Sequence, residues 1–248
     1  MKKTIYSKNL KAQFHPTFGN EKLGGKNLKI MAVGYLSGDD IPTFKDGRPV
    51  VDMVGTCNKV DCSGCKGSCY AMRTQRQYNG VTIARAENTL QLRKSMWQHF
   101  QDIKKAIIEN NISIVRYTES GEIESYNQFQ NLVNLARDLS HVRFYLYTKN
   151  YHVLHQFFDR SVLPENLVVL ISIWGDIGVD AWHHFKIYRN VKAFVVNNHE
   201  GDLASGFYCP AYRRNTETGK VTRDPEMTCA KCGLCFKSPA KVIHCLEH

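Results

Sequence analysis

Short apolar runs and longer amphipathic stretches alternate along most of this sequence. Period-two or continuous apolar runs predict strands, and apolar residues recurring at three and four positions predict helices. The strands are predicted at residues 50–54, 112–117, 142–147, 167–173, 191–196 and 241–244. The helices are predicted at residues 83–110, 126–139, 150–158 and 179–188. Such alternation is typical of βα units on a parallel sheet, so the fold class is α/β.

The number and order of these elements fit two architectures, a partial (βα)6 barrel or an open doubly wound sheet. Periodicity does not choose between them. Residues 1–48, with one further candidate strand at 28–35, are predicted to be an N-terminal extension of a βα domain over 49–245. Residues 246–248, Leu-Glu-His, resemble the start of a vector-encoded purification tag.

Cysteine is the residue type that adds most to this picture. The first group is Cys57-x4-Cys62-x2-Cys65-x3-Cys69, in the loop 57–69. The second, in the loop 209–235, is Cys209 followed by Cys229-x2-Cys232-x2-Cys235. Residues 70–208 contain none, and Cys245 is left over. An odd total of nine, at a modest density, argues against disulfide stapling and favours a reducing, cytoplasmic location.

Thiolates separated by two or three residues point toward a single inorganic centre. We predict a [4Fe–4S] cluster on Cys229, Cys232, Cys235 and the distant Cys209, because closely spaced thiolates can each reach a different iron. Zinc is the alternative metal, since Cys62-x2-Cys65 and Cys229-x2-Cys232 would together form a four-cysteine site.

The first group is predicted to follow the first strand, and chemistry in parallel α/β proteins lies at the carboxyl ends of strands. If Cys57, Cys65 and Cys69 bind three irons and Cys62 does not, one iron stays open for a substrate or an S-adenosylmethionine molecule. If Cys62 also binds, the second [4Fe–4S] cluster is structural or transfers electrons.

Several motifs together resemble the phage "gene product 88" domain family over about residues 50–245. They are Cys57-x7-Cys65-x3-Cys69-Tyr70-Ala71, Thr118-Glu119-Ser120-Gly121-Glu122, Phe144-Tyr145-Leu146-Tyr147-Thr148-Lys149, Leu163-Pro164-Glu165-Asn166 and Cys229-Ala230-Lys231-Cys232-Gly233-Leu234-Cys235-Phe236. The family is found in phage and mobile-element genomes, which the resemblance implies for this chain as well.

The same layout is more distantly similar to radical S-adenosylmethionine enzymes. That resemblance implies a partial (βα)6 barrel, S-adenosylmethionine as a bound cofactor, and contact of its amino group with Ser120, Gly121 and Glu122. The cysteine spacing here differs from the C-x3-C-x2-C usual in those enzymes.

Two candidate catalytic residues stand at predicted strand ends. Glu122 would bind an amine or tune a proton transfer, and Lys149 would meet a carboxylate or phosphate. The substrate itself cannot be read from the sequence.

The formal net charge of +10 favours two kinds of anionic neighbour. One is nucleic acid, and the other is a thiolate-bound cluster whose negative charge the basic residues offset. The basic residues flank the cysteine loops: Arg73, Arg76, Arg85, Arg93, Arg213, Arg214, Lys220 and Arg223. No run approaches the length of a membrane span.

Two hypotheses follow from these observations. The first is an iron–sulfur protein performing redox or radical chemistry, which would need an electron donor as a partner. The second is a non-enzymatic, metal-stabilised protein that binds nucleic acid.

Overall fold

The computed structural model describes residues 3–24, 29–58, 60, 65, 67–196 and 203–246. Over these residues the chain forms strands β1 (Ile30–Ala32), β2 (Ile114–Tyr117), β3 (Arg143–Thr148), β4 (Leu167–Ile173), β5 (Val191–Val196), β6 (Phe207–Tyr208), β7 (Tyr212–Arg214), β8 (Val221–Arg223) and β9 (Val242–Cys245). The helices are α1 (Tyr70–Gln77), α2 (Asn79–Lys94), α3 (Met96–Glu109), α4 (Tyr126–Asp138), α5 (Tyr151–Phe158), α6 (Asp176–Phe185) and α7 (Cys229–Cys232). None of the helices in these ranges is long and apolar enough to cross a membrane.

Seven strands form one sheet in the order β1-β2-β3-β4-β5-β9-β6, and each neighbouring pair is parallel. From β1 to β9 the order follows the sequence without reversal, whereas a doubly wound sheet reverses its order at a switch point. Parallel crossovers are right-handed, so an unreversed order places the connecting helices on one face. The sheet is open over the described residues, since no pairing joins β1 to β6. Strands β7 and β8 form a separate antiparallel hairpin.

Alternate residues of each strand face opposite sides of the sheet. One set, including Phe144, Leu146, Val169 and Ile171, packs with apolar residues of the helices in the main core. We call this the helix face. The amphipathic patterns of the helices predict this packing of their apolar sides against the sheet.

The other set forms what we call the inner face, which includes Tyr145, Leu170 and Phe194. The segment 229–236 covers it, and the Phe236 ring stacks on Tyr145 with ring centroids 4.9 Å apart. Two strand cations fasten this segment through its backbone. The Arg143 guanidinium donates to the Phe236 carbonyl at 2.9 Å, and Lys192 Nζ donates to the Leu234 carbonyl at 2.7 Å.

Most predicted elements are confirmed, and three need correction. Residues 50–54 form no strand; Val51 packs in a small cluster with Leu36 and Ala86 and makes one isolated bridge to Ile5. The first strand of the sheet is instead β1, inside the candidate strand at 28–35. The helix predicted over 83–110 is two helices, because Ser95 leaves the helical conformation at φ −150°. Helix α6 begins three residues before the predicted 179, at Asp176.

Candidate functional site

One cavity of about 470 Å³ lies on the inner face and reaches the ends of β2, β3 and β4. Both cysteine groups contribute to its wall. Its cysteines are Cys57, Cys65, Cys69, Cys209, Cys229, Cys232, Cys235 and Cys245. Cys62 lies outside the described residues. The structure therefore brings together thiols from two widely separated parts of the sequence.

Cys57 reaches the cavity through a second pass of the chain beside the segment that follows β1. The Thr56 amide donates to the Leu36 carbonyl at 2.7 Å, and the Cys57 amide donates to the Gly38 carbonyl at 3.0 Å. Gly55 permits this approach, because a Cβ there would collide with the backbone of residues 37 and 38. Cys69 then stands immediately before α1. The first cysteine loop thus follows β1, and residues 33–56 lie between the strand and the loop.

The Ser120-Gly121-Glu122 turn follows β2 and is held by the protein's own groups. The Ser120 hydroxyl donates to the Tyr35 carbonyl at 2.9 Å, and the Gly121 amide donates to Ser37 Oγ at 2.9 Å. The Glu122 amide donates to Thr56 Oγ1 at 2.8 Å. All three turn residues line the cavity, but these bonds use polar groups that a bound cofactor would otherwise contact.

Glu122 and Lys149 form a buried ion pair at the ends of β2 and β3. Lys149 Nζ lies 3.2 Å from Glu122 Oε1, and the Glu122 side chain is 3% exposed. The carboxylate also accepts from Thr148 Oγ1 at 2.8 Å and from the Lys149 amide at 3.0 Å. Burial by itself lowers the pKa of Lys149. Electrostatic attraction to Glu122, Cys65 and Cys57 raises the pKa by a larger amount, so the net shift is upward. Lys149 is therefore a fixed cation facing the first cysteine group.

The second group is organised by the short helix α7. The Thr228 hydroxyl accepts from the Lys231 amide at 3.3 Å, and Gly233 ends the helix at φ +68°. The Cys229 amide donates to the Lys22 carbonyl at 2.9 Å. Tyr147 Oη donates to Cys235 Sγ at 3.0 Å, which ties this thiol to β3.

The thiols of this group lie close enough together to shift one another's pKa. Burial raises the pKa of Cys235 to about 12, with smaller contributions from Cys229 and Cys209. Cys209 and Cys245 share a hydrogen bond, which lowers the pKa of Cys209 and raises that of Cys245. Cys245, left over in the sequence pattern, thus belongs to the site. Its position at the end of β9, where parallel sheets carry their chemistry, is the signal that could have identified it.

No group of three cysteine, histidine, aspartate or glutamate side chains among the described residues is arranged to hold a single metal ion. A tetrahedral zinc site needs sulfur atoms about 3.8 Å apart, given Zn–S bonds of about 2.3 Å. A cubane needs a wider set, because each thiolate binds a different iron.

Several basic residues predicted to flank the loops bind groups of the protein itself. Arg85 is buried and donates to Glu119 Oε2 at 3.1 Å, and Arg93 pairs with Glu124 at 2.5 Å. Arg76 Nε donates to the Thr43 carbonyl at 2.9 Å. These contacts join the basic side chains to the segments around the first loop.

Fold and site together define a parallel α/β protein with a cysteine-lined cavity at the carboxyl ends of its strands. The chain matches the family described as Gene product 88 over residues 10–238, and it belongs to that family. No curated protein and no solved structure matches it.

Proposed function

We propose that this is an iron–sulfur protein whose two cysteine groups hold two [4Fe–4S] clusters in one cavity, where redox or radical chemistry takes place. The observation that carries the proposal is the convergence of both groups on the inner face. Eight cysteines from opposite ends of the chain line a cavity of about 470 Å³. Thiols gathered at the carboxyl ends of parallel strands are placed where such proteins bind cofactors.

The charges around the cavity support two separate centres. Cys57 and Cys65 contribute to the raised pKa of Lys149. Cys229 and Cys235 contribute instead to the raised pKa values of Tyr147 and Tyr145. We assign one centre to Cys57, Cys65 and Cys69, with Cys62 as a further ligand candidate. The other centre takes Cys209, Cys229, Cys232 and Cys235, and Cys245 is an alternative to Cys209.

Burial favours the neutral thiol at Cys229, Cys232 and Cys235, since it raises the pKa of each. Metal binding to such thiols releases protons and couples affinity to pH. The close spacing of Cys229, Cys232 and Cys235 along the chain suits a cubane better than zinc, because each thiolate can reach a different iron. When bound, a cluster would supply one-electron chemistry.

The proposal includes a partial (βα)6 barrel and S-adenosylmethionine as a bound cofactor. The unreversed strand order and the cysteine loop after β1 support it. Within it, Lys149 binds an anionic group and Glu122 positions Lys149 through their ion pair.

The test is anaerobic purification with iron, sulfide and zinc quantitation, followed by electron paramagnetic resonance of the reduced protein with and without S-adenosylmethionine. Two clusters would give about eight irons and eight sulfides, and one cluster about four of each. Cys229→Ser combined with Cys235→Ser should remove about half of the iron. The matched control, Ser68→Ala in the same cavity wall, should keep it.

Zinc alone, or no metal, would overturn the cluster assignment. A spectrum unchanged by S-adenosylmethionine would remove the radical part and leave the cluster part standing.

A second candidate is a metal-stabilised protein that binds nucleic acid. The observation that favours it is the β7–β8 hairpin, where Arg214 and Arg223 are exposed and Arg213 is 73% exposed beside its partner Asp224. Basic two-stranded ribbons can enter a nucleic-acid groove. An affinity for DNA or RNA that falls steeply with salt and is lost in Arg214→Gln/Arg223→Gln would support this function.

A further inference from the structure

The cavity wall contains cations that make no direct ion pair with its carboxylates. Three carboxylates line it: Glu119 pairs with Arg85 at 3.1 Å, Glu122 pairs with Lys149 at 3.2 Å, and Asp39 is the third. Arg116 and Lys22 also line the cavity, and neither has an acidic partner among the described residues. Lys22 Nζ donates instead to the phenol oxygen of Tyr212 at 2.7 Å.

Arg116 is the more unusual of the two cations. It projects from β2 onto the inner face, and its guanidinium carbon lies 4.9 Å from the centroid of the Tyr147 ring. Its Nε atom is buried and makes no hydrogen bond within the described part of the chain. Buried polar atoms are rarely left without a partner, so each such atom calls for an explanation.

A second unpartnered donor stands beside it on the neighbouring strand. Tyr145 is directly opposite Arg116 in the β2–β3 register. Its hydroxyl is also buried without a hydrogen bond among the described residues. The neighbouring thiol already has a donor, because Cys235 Sγ accepts from Tyr147 Oη at 3.0 Å.

We propose that this cavity binds a small molecule through an oxyanion, a carboxylate or a phosphate group, held by Arg116. A guanidinium presents its donors in a planar fork that matches two oxygens of such a group. Lys22, which also lines the cavity, supplies a second positive charge. The inference does not require the cysteines to bind a cluster, and it goes beyond the proposed function by naming how an organic ligand is held.

The experiment measures thermal unfolding midpoints at fixed pH and ionic strength, with chloride replaced by inorganic phosphate in one arm and by acetate in the other. A ligand that binds only the folded state raises the midpoint with its concentration. The wild-type midpoint should rise in at least one arm, and the arm that responds identifies the chemistry. Arg116→Gln should weaken the apparent affinity at least tenfold.

Two further variants keep the outcome interpretable. Arg116→Lys preserves the charge but removes the fork, so it should bind more weakly than wild type and more tightly than Arg116→Gln. Arg213→Gln removes an exposed cation outside the cavity wall and should leave the shift unchanged. Far-UV circular dichroism in chloride establishes that each variant is folded.

The inference is wrong if neither anion raises the midpoint beyond chloride, or if the shift in Arg116→Gln is as large as in the wild type. Iron measured on the same samples separates this result from the cluster proposal. Metal-free protein that binds phosphate or acetate would sink the cluster proposal and leave this one standing. Iron-loaded protein whose midpoint is raised by neither anion would support the cluster proposal and overturn this one.

Discussion

The two faces of the parallel sheet differ in the kinds of side chain that they carry. The helix face fills its space with aliphatic and aromatic side chains, including Phe129 and Leu132 from α4. The inner face carries the buried Lys192, the half-buried Arg116 and several thiols, and a loop-rich segment covers it. Apolar burial stabilises a fold without regard to ligand, whereas buried polar groups need partners. We infer that the helix face contributes most of the stability and the inner face contributes the site.

Deleting a large side chain from each face should give the largest effect. Phe129 is fully buried and contacts Phe157 edge-on, with ring centroids 5.0 Å apart. Phe129→Ala should cost about 4 kcal/mol of unfolding free energy, measured by urea denaturation. Its inner-face counterpart, Phe236→Ala, should cost about half as much, since it empties a smaller cluster.

Thiol reactivity should rank the same two variants in the opposite order, with the larger effect in Phe236→Ala. Phe236→Ala should speed the reaction of cysteines with a thiol reagent under native conditions, and Phe129→Ala should not. Equal costs together with equal thiol reactivity would remove the distinction between the faces.

A buried histidine on the helix side tests the comparison from another direction. His99 lies 2.8 Å from Tyr35 Oη and 2.8 Å from Gln91 Oε1. Burial lowers its pKa from 6.5 to about 4, so the folded protein holds the neutral ring. Between those values the unfolded chain binds a proton that the folded protein does not, and stability therefore falls as the pH falls.

The expected loss between pH 6.5 and pH 4 is about 3 kcal/mol from this group. Carboxylates titrate in the same interval, so the measurement is the difference between wild type and His99→Gln in urea unfolding at each pH. The wild type should lose more stability than the variant does. Parallel curves would show that His99 contributes nothing to the acid sensitivity.

Two glycines offer the mildest test, one in the site and one in a helix. Gly121 has φ +75°, and a Cβ there would collide with Thr56 Oγ1. Gly121→Ala should therefore cost about 2 kcal/mol in urea unfolding. Gly80 in α2 has open space around its Cα, and Gly80→Ala should be neutral or stabilise by up to about 1 kcal/mol. A neutral Gly121→Ala would mean that the turn after β2 is looser than its contacts indicate.

The elements of the helix face are the ones that the sequence could predict. Strands β4 and β5 have the predicted bounds, because a continuous apolar run is buried on both sides of a parallel sheet. The run 50–54 is also mostly apolar but packs in a satellite cluster beside Leu36. Hydrophobic periodicity predicts that a segment is buried, but it does not predict which other elements the segment packs against. Strand β1 was harder to predict, since it has only three residues.

The site could be predicted by residue type but not by arrangement. The thiol spacing identified both loops, yet their meeting in one cavity depends on strand order. Arg116 was missed, although a single charged residue inside the otherwise uncharged strand 114–117 is a signal in its own right. The Glu122–Lys149 pair was placed at two strand ends, but the sequence alone does not show that these ends are neighbours in the sheet.

The position of β9 has a consequence for how the protein is made. This strand is the last along the sequence, yet it lies between β5 and β6 and pairs with both. During synthesis, a chain that has emerged only as far as residue 240 can assemble β1–β5 with their helices, but β6 has no strand to join. The helix face would then form on the ribosome, while the cavity wall would wait for residues 242–245.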